Sequence, residues 1–180
     1  MTFNIDESLR LELTALHHAE GLYNAVDANR EHLSAFLPWV DHMQSVANFT
    51  DYIMHCEYLH NQKKEVSFVI KYQDLIVGRV GLHNIDHEHK HASIGYWLTK
   101  NAEGKGIITR CCKTLIAYAF SQLALNRIEI KAAVRNTKSI AIAEKLHFTK
   151  EGIQRKAERI NNQFVDLVMY SLIKNEWTEM

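Results

Sequence analysis

Residues 94–109 constrain the fold more than any other part of the chain. The apolar run Ile94-Gly95-Tyr96-Trp97-Leu98 reads as a strand, and the polar stretch Thr99-Lys100-Asn101-Ala102-Glu103-Gly104-Lys105-Gly106 follows it. Beyond Ile107, the residues Ile108, Cys112, Leu115, Ile116, Ala119 and Leu123 recur at helical spacing, so a helix starts at the second glycine. A strand that turns on two glycines straight into an amphipathic helix needs a sheet with that helix packed on its face. Glycine permits positive φ and lets a ligand come close to the backbone. Unpaired N–H groups at the helix start then form a site for phosphate or diphosphate, aided by the helix dipole. A plain strand-to-helix connection accounts for the same residues, because Gly-x-Gly alone is a weak signal. Two other phosphate loops fail. A Walker-type loop needs Ser or Thr after its lysine and a glycine five residues before it, where Gly106 and Lys100 stand. A dinucleotide loop needs a third glycine where Thr109 stands, within repeating parallel βαβ units.

The remaining periodicities set the order around this turn. Leu9, Leu11 and Leu13 alternate with Arg10 and Glu12 and predict a first strand. Residues 17–36 follow a helical period through Leu22, Tyr23, Val26, Leu33 and Phe36, and Pro38, the single proline, closes that region. A second helix is predicted over Val46–Asn61, then strands over Val66–Tyr72, 75–82 and 92–98. After the glycine turn and its helix come a strand at 128–134, a helix from Asn136 or Thr137 to about Leu146, and strands at 148–159 and 164–173 around Asn161-Asn162. The order β-α-α-β-β-β-α-β-α-β-β predicts an α/β (α+β) fold with a mixed central sheet of about seven strands and about four helices, not a doubly wound sheet.

No Pro-, Gly- or Ser-rich linker divides the 180 residues, which predicts one domain over 1–180. Lys plus Arg equals Asp plus Glu at 21 each, so the chain lacks the basic excess that a general grip on nucleic acid or anionic membrane needs. Its apolar runs fall short of the ~20 residues of a membrane span, and the start Met1-Thr2-Phe3-Asn4-Ile5-Asp6-Glu7 lacks a signal peptide's pattern. Three cysteines, two of them adjacent at Cys111-Cys112, make a poor disulfide framework. Together these features predict a cytoplasmic protein.

Several motifs together resemble the GNAT (Gcn5-related) N-acetyltransferases, within the RimJ/RimL-like branch that includes ribosomal-protein serine acetyltransferases. They are Ile94-Gly95-Tyr96-Trp97-Leu98, Glu103-Gly104-Lys105-Gly106-Ile107-Ile108-Thr109, and Asn136-Thr137-Lys138-Ser139 with Glu144-Lys145-Leu146-His147-Phe148. The ending Asn161-Asn162-Gln163-Phe164-Val165-Asp166-Leu167-Val168-Met169-Tyr170-Ser171-Leu172 extends the resemblance over nearly the whole chain. It implies a GNAT fold, acetyl-CoA as co-substrate without a metal, and an amine acceptor, most simply a protein N-terminus, attacked directly in a ternary complex. It also implies that Gly104, Lys105, Gly106, Ile107, Ile108 and Thr109 hold the diphosphate. The strand of Tyr96, Trp97 and Leu98 should splay from the 128–134 strand to pair with pantetheine. Glu103 and Ile108 depart from the family pattern, which has Gln or Arg and Gly or Ala there.

The resemblance further implies that Ser139 lies near the CoA sulfur as proton donor and that Glu158 is the general base. Asn136 would order the loop or touch the cofactor, and Trp39, His83 and Asn84 would line the acceptor side. Each has a plainer reading: helix capping for Ser139, a solvated charge paired with Arg155 or Arg159 for Glu158, a staple between helices for Trp39, and, for Tyr96 and Trp97, core aromatics of a buried strand. His87, His89 and His91 have a metal-like spacing, but no cysteine or paired carboxylate frames them. The branch forms dimers, which makes a homodimer an expectation here. A small-amine acetyltransferase, for polyamine or aminoglycoside, and a non-catalytic acyl-CoA sensor are the rival functions.

Overall fold

The computed structural model describes residues 1–178. One mixed sheet organises the chain, in the order β1-β2-β3-β4-β5-β6-β8-β7. Its strands are β1 (Thr2–Asn4), β2 (Leu9–Leu13), β3 (Val66–Tyr72), β4 (Leu75–Asp86), β5 (His91–Leu98), β6 (Arg127–Ala133), β7 (Thr149–Ile160) and β8 (Gln163–Ile173). The helices are α1 (Ala19–Asp27), α2 (Arg30–Ser34), α3 (Val46–Asn61), α4 (Ile107–Ser121) and α5 (Thr137–Lys145). Every neighbouring pair is antiparallel except β5 and β6, which run parallel because α4 carries the chain across between them.

Among the described residues, eight strands and five helices stand close to the about seven and about four expected. The extra strand, β1, is too short to show a period; it is held by pairing with β2 and by Phe3, whose ring meets those of Phe68 and Tyr118 at 5.4 and 5.5 Å. The extra helix comes from a break in the 17–36 segment. A 3-10 turn at Leu16–His18 precedes α1, and Asn29 stops α1 by donating to the Ala25 carbonyl at 2.9 Å. The same side chain accepts from the Lys100 N–H at 3.0 Å, so a local competitor of helix geometry is fixed by a distant loop. The α4 helix also ends before Leu123, and β6 before the exposed Val134.

Alternation along the strands sorts side chains onto two faces. Val80, Leu82, Ile94, Ile130 and Val168 point to the face covered by α4 and α5, where Leu115 and Ile116 are fully buried. Burial of one such side chain contributes about 1.5–3 kcal/mol. The opposite face is covered over β3–β5 by α1 and α3, whose Leu22, Val26, Phe49 and Ile53 pack on Val69 and Trp97. Ser45 starts α3 by accepting from the Asn48 N–H at 3.3 Å. No described helix is long and apolar enough to cross a membrane.

Candidate active site

The parallel pair β5–β6 is where the sheet opens. Its register holds for three pairs only, ending at Ser93↔Glu129, while both strands continue. From residue 94 onward the β5 edge that faces β6 is unpaired, and Tyr96, Trp97 and Leu98 line a cleft of about 790 Å³. The far side of the cleft is the loop from β6 and the first turns of α5, with Arg135, Asn136, Lys138 and Ser139.

The outer end of the cleft is the glycine turn. Gly104 and Gly106 hold φ of 75° and 69°, left-handed values that L side chains rarely take. Gly106 is the residue before α4, and no side chain caps that helix. The first-turn N–H groups, at Ile107, Ile108 and Thr109, have no intrahelical acceptor by geometry, and these residues line the cleft. That is the donor set a diphosphate requires. Ile107 and Ile108 are buried, so their side chains anchor the turn while their backbone serves the cleft. Lys105 alone of this group turns its side chain away; its ammonium lies 5.2 Å from the Tyr72 ring centre, outside the cleft.

Glu103 does not point to open solvent. Its carboxylate meets Lys138 of α5 at 2.5 Å and His32 of α2 at 3.5 Å, which offsets the negative charge beside the anion site. The basic residues Arg135, Lys138 and Lys145 at this cleft carry no local pattern that singles them out in the sequence. Their role becomes visible only when α5 is placed beside the glycine turn.

At the inner end, the Tyr96 hydroxyl lies 2.9 Å from Ser139 Oγ. Burial, with the neighbouring Cys112 thiol, holds the Tyr96 hydroxyl protonated well above the ordinary phenol range. Asn136 is the cap of α5: its Oδ1 accepts from the Ser139 N–H at 3.2 Å. Capping therefore falls to Asn136 and leaves Ser139 Oγ to face Tyr96 and the cleft. Reading Tyr96 as a packed aromatic missed this hydroxyl contact, which pairs residues 43 apart in sequence.

The residues assigned to the acceptor side lie outside that cleft. Cross-strand partners share a face, so Arg79, Gly81 and His83 of β4 share one with Trp97, Gly95 and Ser93 of β5, and with Glu129 and Lys131 of β6. The same face carries Leu167 and Met169 of β8 and, through the pair Glu158↔Val165, Glu158 of β7. A register shift between Gln154 and Glu158 spends four residues of β7 against two of β8, and this bulge sets the aim of Glu158. Glu158 has no ion-pair partner among the described residues, and burial raises its pKa. Arg159, its expected partner, donates instead to Asn162 at 3.1 Å.

His83 is half-buried on that face, and Trp39 packs against Trp97 with ring centres 6.2 Å apart. Asn84 is exposed, with φ of 53° at the irregularity closing β4 and β5, and joins neither group. His87 and His89 sit in the following turn rather than along a strand with His91, and His87 Nε2 contacts the Lys63 carbonyl at 2.9 Å. A different group, Glu12, His17 and His18, has metal-ligand proximity. There His18 Nδ1 accepts from the Ala15 N–H at 3.1 Å and Nε2 meets Glu12 at 3.0 Å, so both ring nitrogens already serve the fold.

Comparison with known proteins agrees with this geometry. The family described as Acetyltransferase (GNAT) domain matches residues 8–149. YdaF of Bacillus subtilis (strain 168) is 36% identical over 179 residues, 98% of this chain and 97% of that one. The ribosomal-protein-serine acetyltransferase of Escherichia coli (strain K12) is 30% identical over 172 residues, covering 96% of each. Among solved structures, RimL, a ribosomal L7/L12 alpha-N-protein acetyltransferase in complex with coenzyme A, superimposes with a TM-score of 0.93 at 28% identity, over 98% of this chain and 99% of that one. The sheet that opens beside an uncapped helix, and the family match over most of the sequence, lead to one conclusion: this chain belongs to the GNAT acetyltransferase family.

Proposed function

We propose that this protein moves an acetyl group from acetyl-CoA to the α-amine of a protein N-terminus, of the ribosomal-protein serine type, by direct attack with both substrates bound. The observation that carries this reading is the unpaired edge of β5, which runs from the uncapped start of α4 to the Tyr96–Ser139 hydroxyl pair. The relatives support it: RimL is crystallised with coenzyme A, and the Escherichia coli relative is named for a ribosomal-protein serine. Three free, buried cysteines suit a reducing cytoplasm.

Acetyl-CoA, when bound, supplies an activated thioester. The chain's own groups hold and order it: the N–H donors of residues 107–109 for the diphosphate, Asn136 for the loop, and the free β5 edge of residues 96–98 for the pantetheine amides. Ser139 Oγ, 2.9 Å from the Tyr96 hydroxyl, delivers a proton at the sulfur end. On the other face, Glu158 takes the proton of the incoming amine. A peptide α-amine, at a pKa of about 7.7–8.0, needs only a modest base. Trp39 and Trp97 form the wall beside that approach.

The charge on the acceptor face favours an α-amine over a polycation. Arg79 is paired with Glu65 at 2.5 Å, Arg127 with Glu129 and Glu151, and Lys131 is exposed among them. A polyamine site needs a strong acidic excess, and with Glu158 counted this face has four carboxylates to three cations, an excess of one. The test is thiol release from acetyl-CoA with peptides of defined N-terminus, followed by mass spectrometry of the product. Acetylation at the α-amine is the expected result. Turnover only on polyamines, or tight CoA binding with no turnover on any amine, overturns the proposal.

A further inference from the structure

His83 occupies a singular place on the acceptor face. It pairs with Ser93, and Ser93 with Glu129 is the last bonded pair before β5 and β6 part, so His83 marks the closed end of the opening. Its ring lies against the neighbouring strand over Gly95. A Cβ on Gly95 would meet His83 Cε1 at 2.9 Å and Nδ1 at 3.3 Å, so the missing side chain is what gives the imidazole its room.

No hydrogen bond among the described residues reaches either ring nitrogen of His83, although the residue is half-buried. Burial favours the neutral ring; Glu65 opposes this, while Arg79 and Lys131 reinforce it. A neutral imidazole offers one donor and one acceptor. An ammonium would satisfy only the acceptor and an alkyl group neither. A hydroxyl also donates once and accepts, so it matches both nitrogen types.

We infer that His83 reads the side-chain hydroxyl of the acceptor's first residue and makes an N-terminal serine or threonine the preferred substrate. The inference rests on the N-terminal reading above. For an α-amine that attacks through the opening, the first side chain branches from the carbon bearing that amine, and its hydroxyl oxygen lies two bonds further out. The Gly81–Gly95 pair adds no side chains of its own here: Arg79 Nη2 approaches Gly81, where it is held by Glu65, and His83, which has no such partner, lies over Gly95. A site that leaves a half-buried imidazole unmatched when the hydroxyl is missing discriminates by the cost of that unpaired group.

The experiment compares peptides identical except for Ser, Thr, Ala or Gly at position one, at saturating acetyl-CoA. For the unmodified protein, kcat/KM for the Ser peptide should exceed that for the Ala peptide by roughly tenfold to a hundredfold. In His83→Leu the ratio should fall close to one. Gly95→Ala should lower it as well, because the added methyl displaces the ring while keeping the imidazole. His83→Gln, whose amide carries both a donor and an acceptor, should restore part of the ratio. Calorimetry of the same peptides on the CoA-loaded protein should give the same order. Each ratio is taken within one preparation, so a loss of folded fraction cancels. A Ser/Ala ratio near one in the unmodified protein, or one unchanged in His83→Leu, overturns the inference while leaving N-terminal acetylation standing. Turnover of polyamines but of none of the peptides overturns both.

Discussion

The hydroxyls of Tyr96 and Ser139 stand 2.9 Å apart and join the open edge of β5 to the first turn of α5. In the proposed mechanism Ser139 Oγ gives its proton outward, with the Tyr96 hydroxyl beside it. Ser139→Ala should therefore lower kcat by about tenfold to a hundredfold, the lower part of the range for general acid catalysis, since a thiolate is already a fair leaving group. Tyr96→Phe should lose less. CoA affinity by calorimetry should stay within about threefold in both. A full-rate Ser139→Ala enzyme would remove the serine from the mechanism.

Gly106 sets the start of α4 at a φ of 69° with open space around its Cα. Gly106→Ala should cost about 1–2 kcal/mol of stability through backbone strain, since no atom stands in the way. Gly106→Asp adds a carboxylate where the proposed mechanism holds the diphosphate and should weaken CoA binding far more than Gly106→Ala. Equal affinities for the two variants would refute the placement of the diphosphate at this turn.

Glu158 is half-buried without a partner, and burial raises its pKa above the usual carboxylate value. The base must be deprotonated to act, so its contribution is present above that raised pKa and fades as pH falls through it. The acceptor amine supplies its own unprotonated form above about pH 8. Glu158→Gln should thus show its largest deficit in kcat/KM between these two limits and a shrinking one as pH rises past 8. A deficit that is constant across the pH range would exclude Glu158 as the base.

Glu103 binds Lys138 and His32 at the mouth of the cleft, where a diphosphate would compete for the same cations. Glu103→Gln should tighten CoA binding by about two- to fivefold at low salt, with the gain lost near 1 M salt as exposed charges are screened. Weaker binding in Glu103→Gln would show instead that the carboxylate positions Lys138.

Burial alone would raise the pKa of Glu12, yet bonds from Arg10, His18 and Lys71 bring it from 4.5 to about 2. A carboxylate depressed in the folded state stabilises above its unfolded pKa, and that stability disappears as pH falls from about 4.5 to 2. Thermal melts of the unmodified protein and Glu12→Gln should differ most near pH 6 and converge only as pH approaches about 2. A constant gap would mean the network acts by packing alone.

Much of the framework could be read along the chain. The alternations at 66–72 and 128–134 and the helical period from 107 are local consequences of which side chains must be buried, and they located β3, β6 and α4, with β6 ending one residue and α4 two residues earlier than expected. The glycine turn was legible for the same reason: positive φ at Gly104 and Gly106 is a demand on single residues. The break at Asn29 was not, because its side chain answers both to Ala25 in its own helix and to Lys100 far along the chain.

The amino-acid sequence by itself determined most of the element order, the two-glycine turn before α4 and the family. Hydrophobic period and glycine conformation act within a few residues of one another. Only the tertiary structure decided that Tyr96 meets Ser139, that Lys138 and His32 flank Glu103, that Lys105 turns toward Tyr72, and that His83 lies over Gly95. Those relationships arise where strand pairing stops between β5 and β6, and strand pairing is a long-range balance of register, twist and packing that no short window of residues contains.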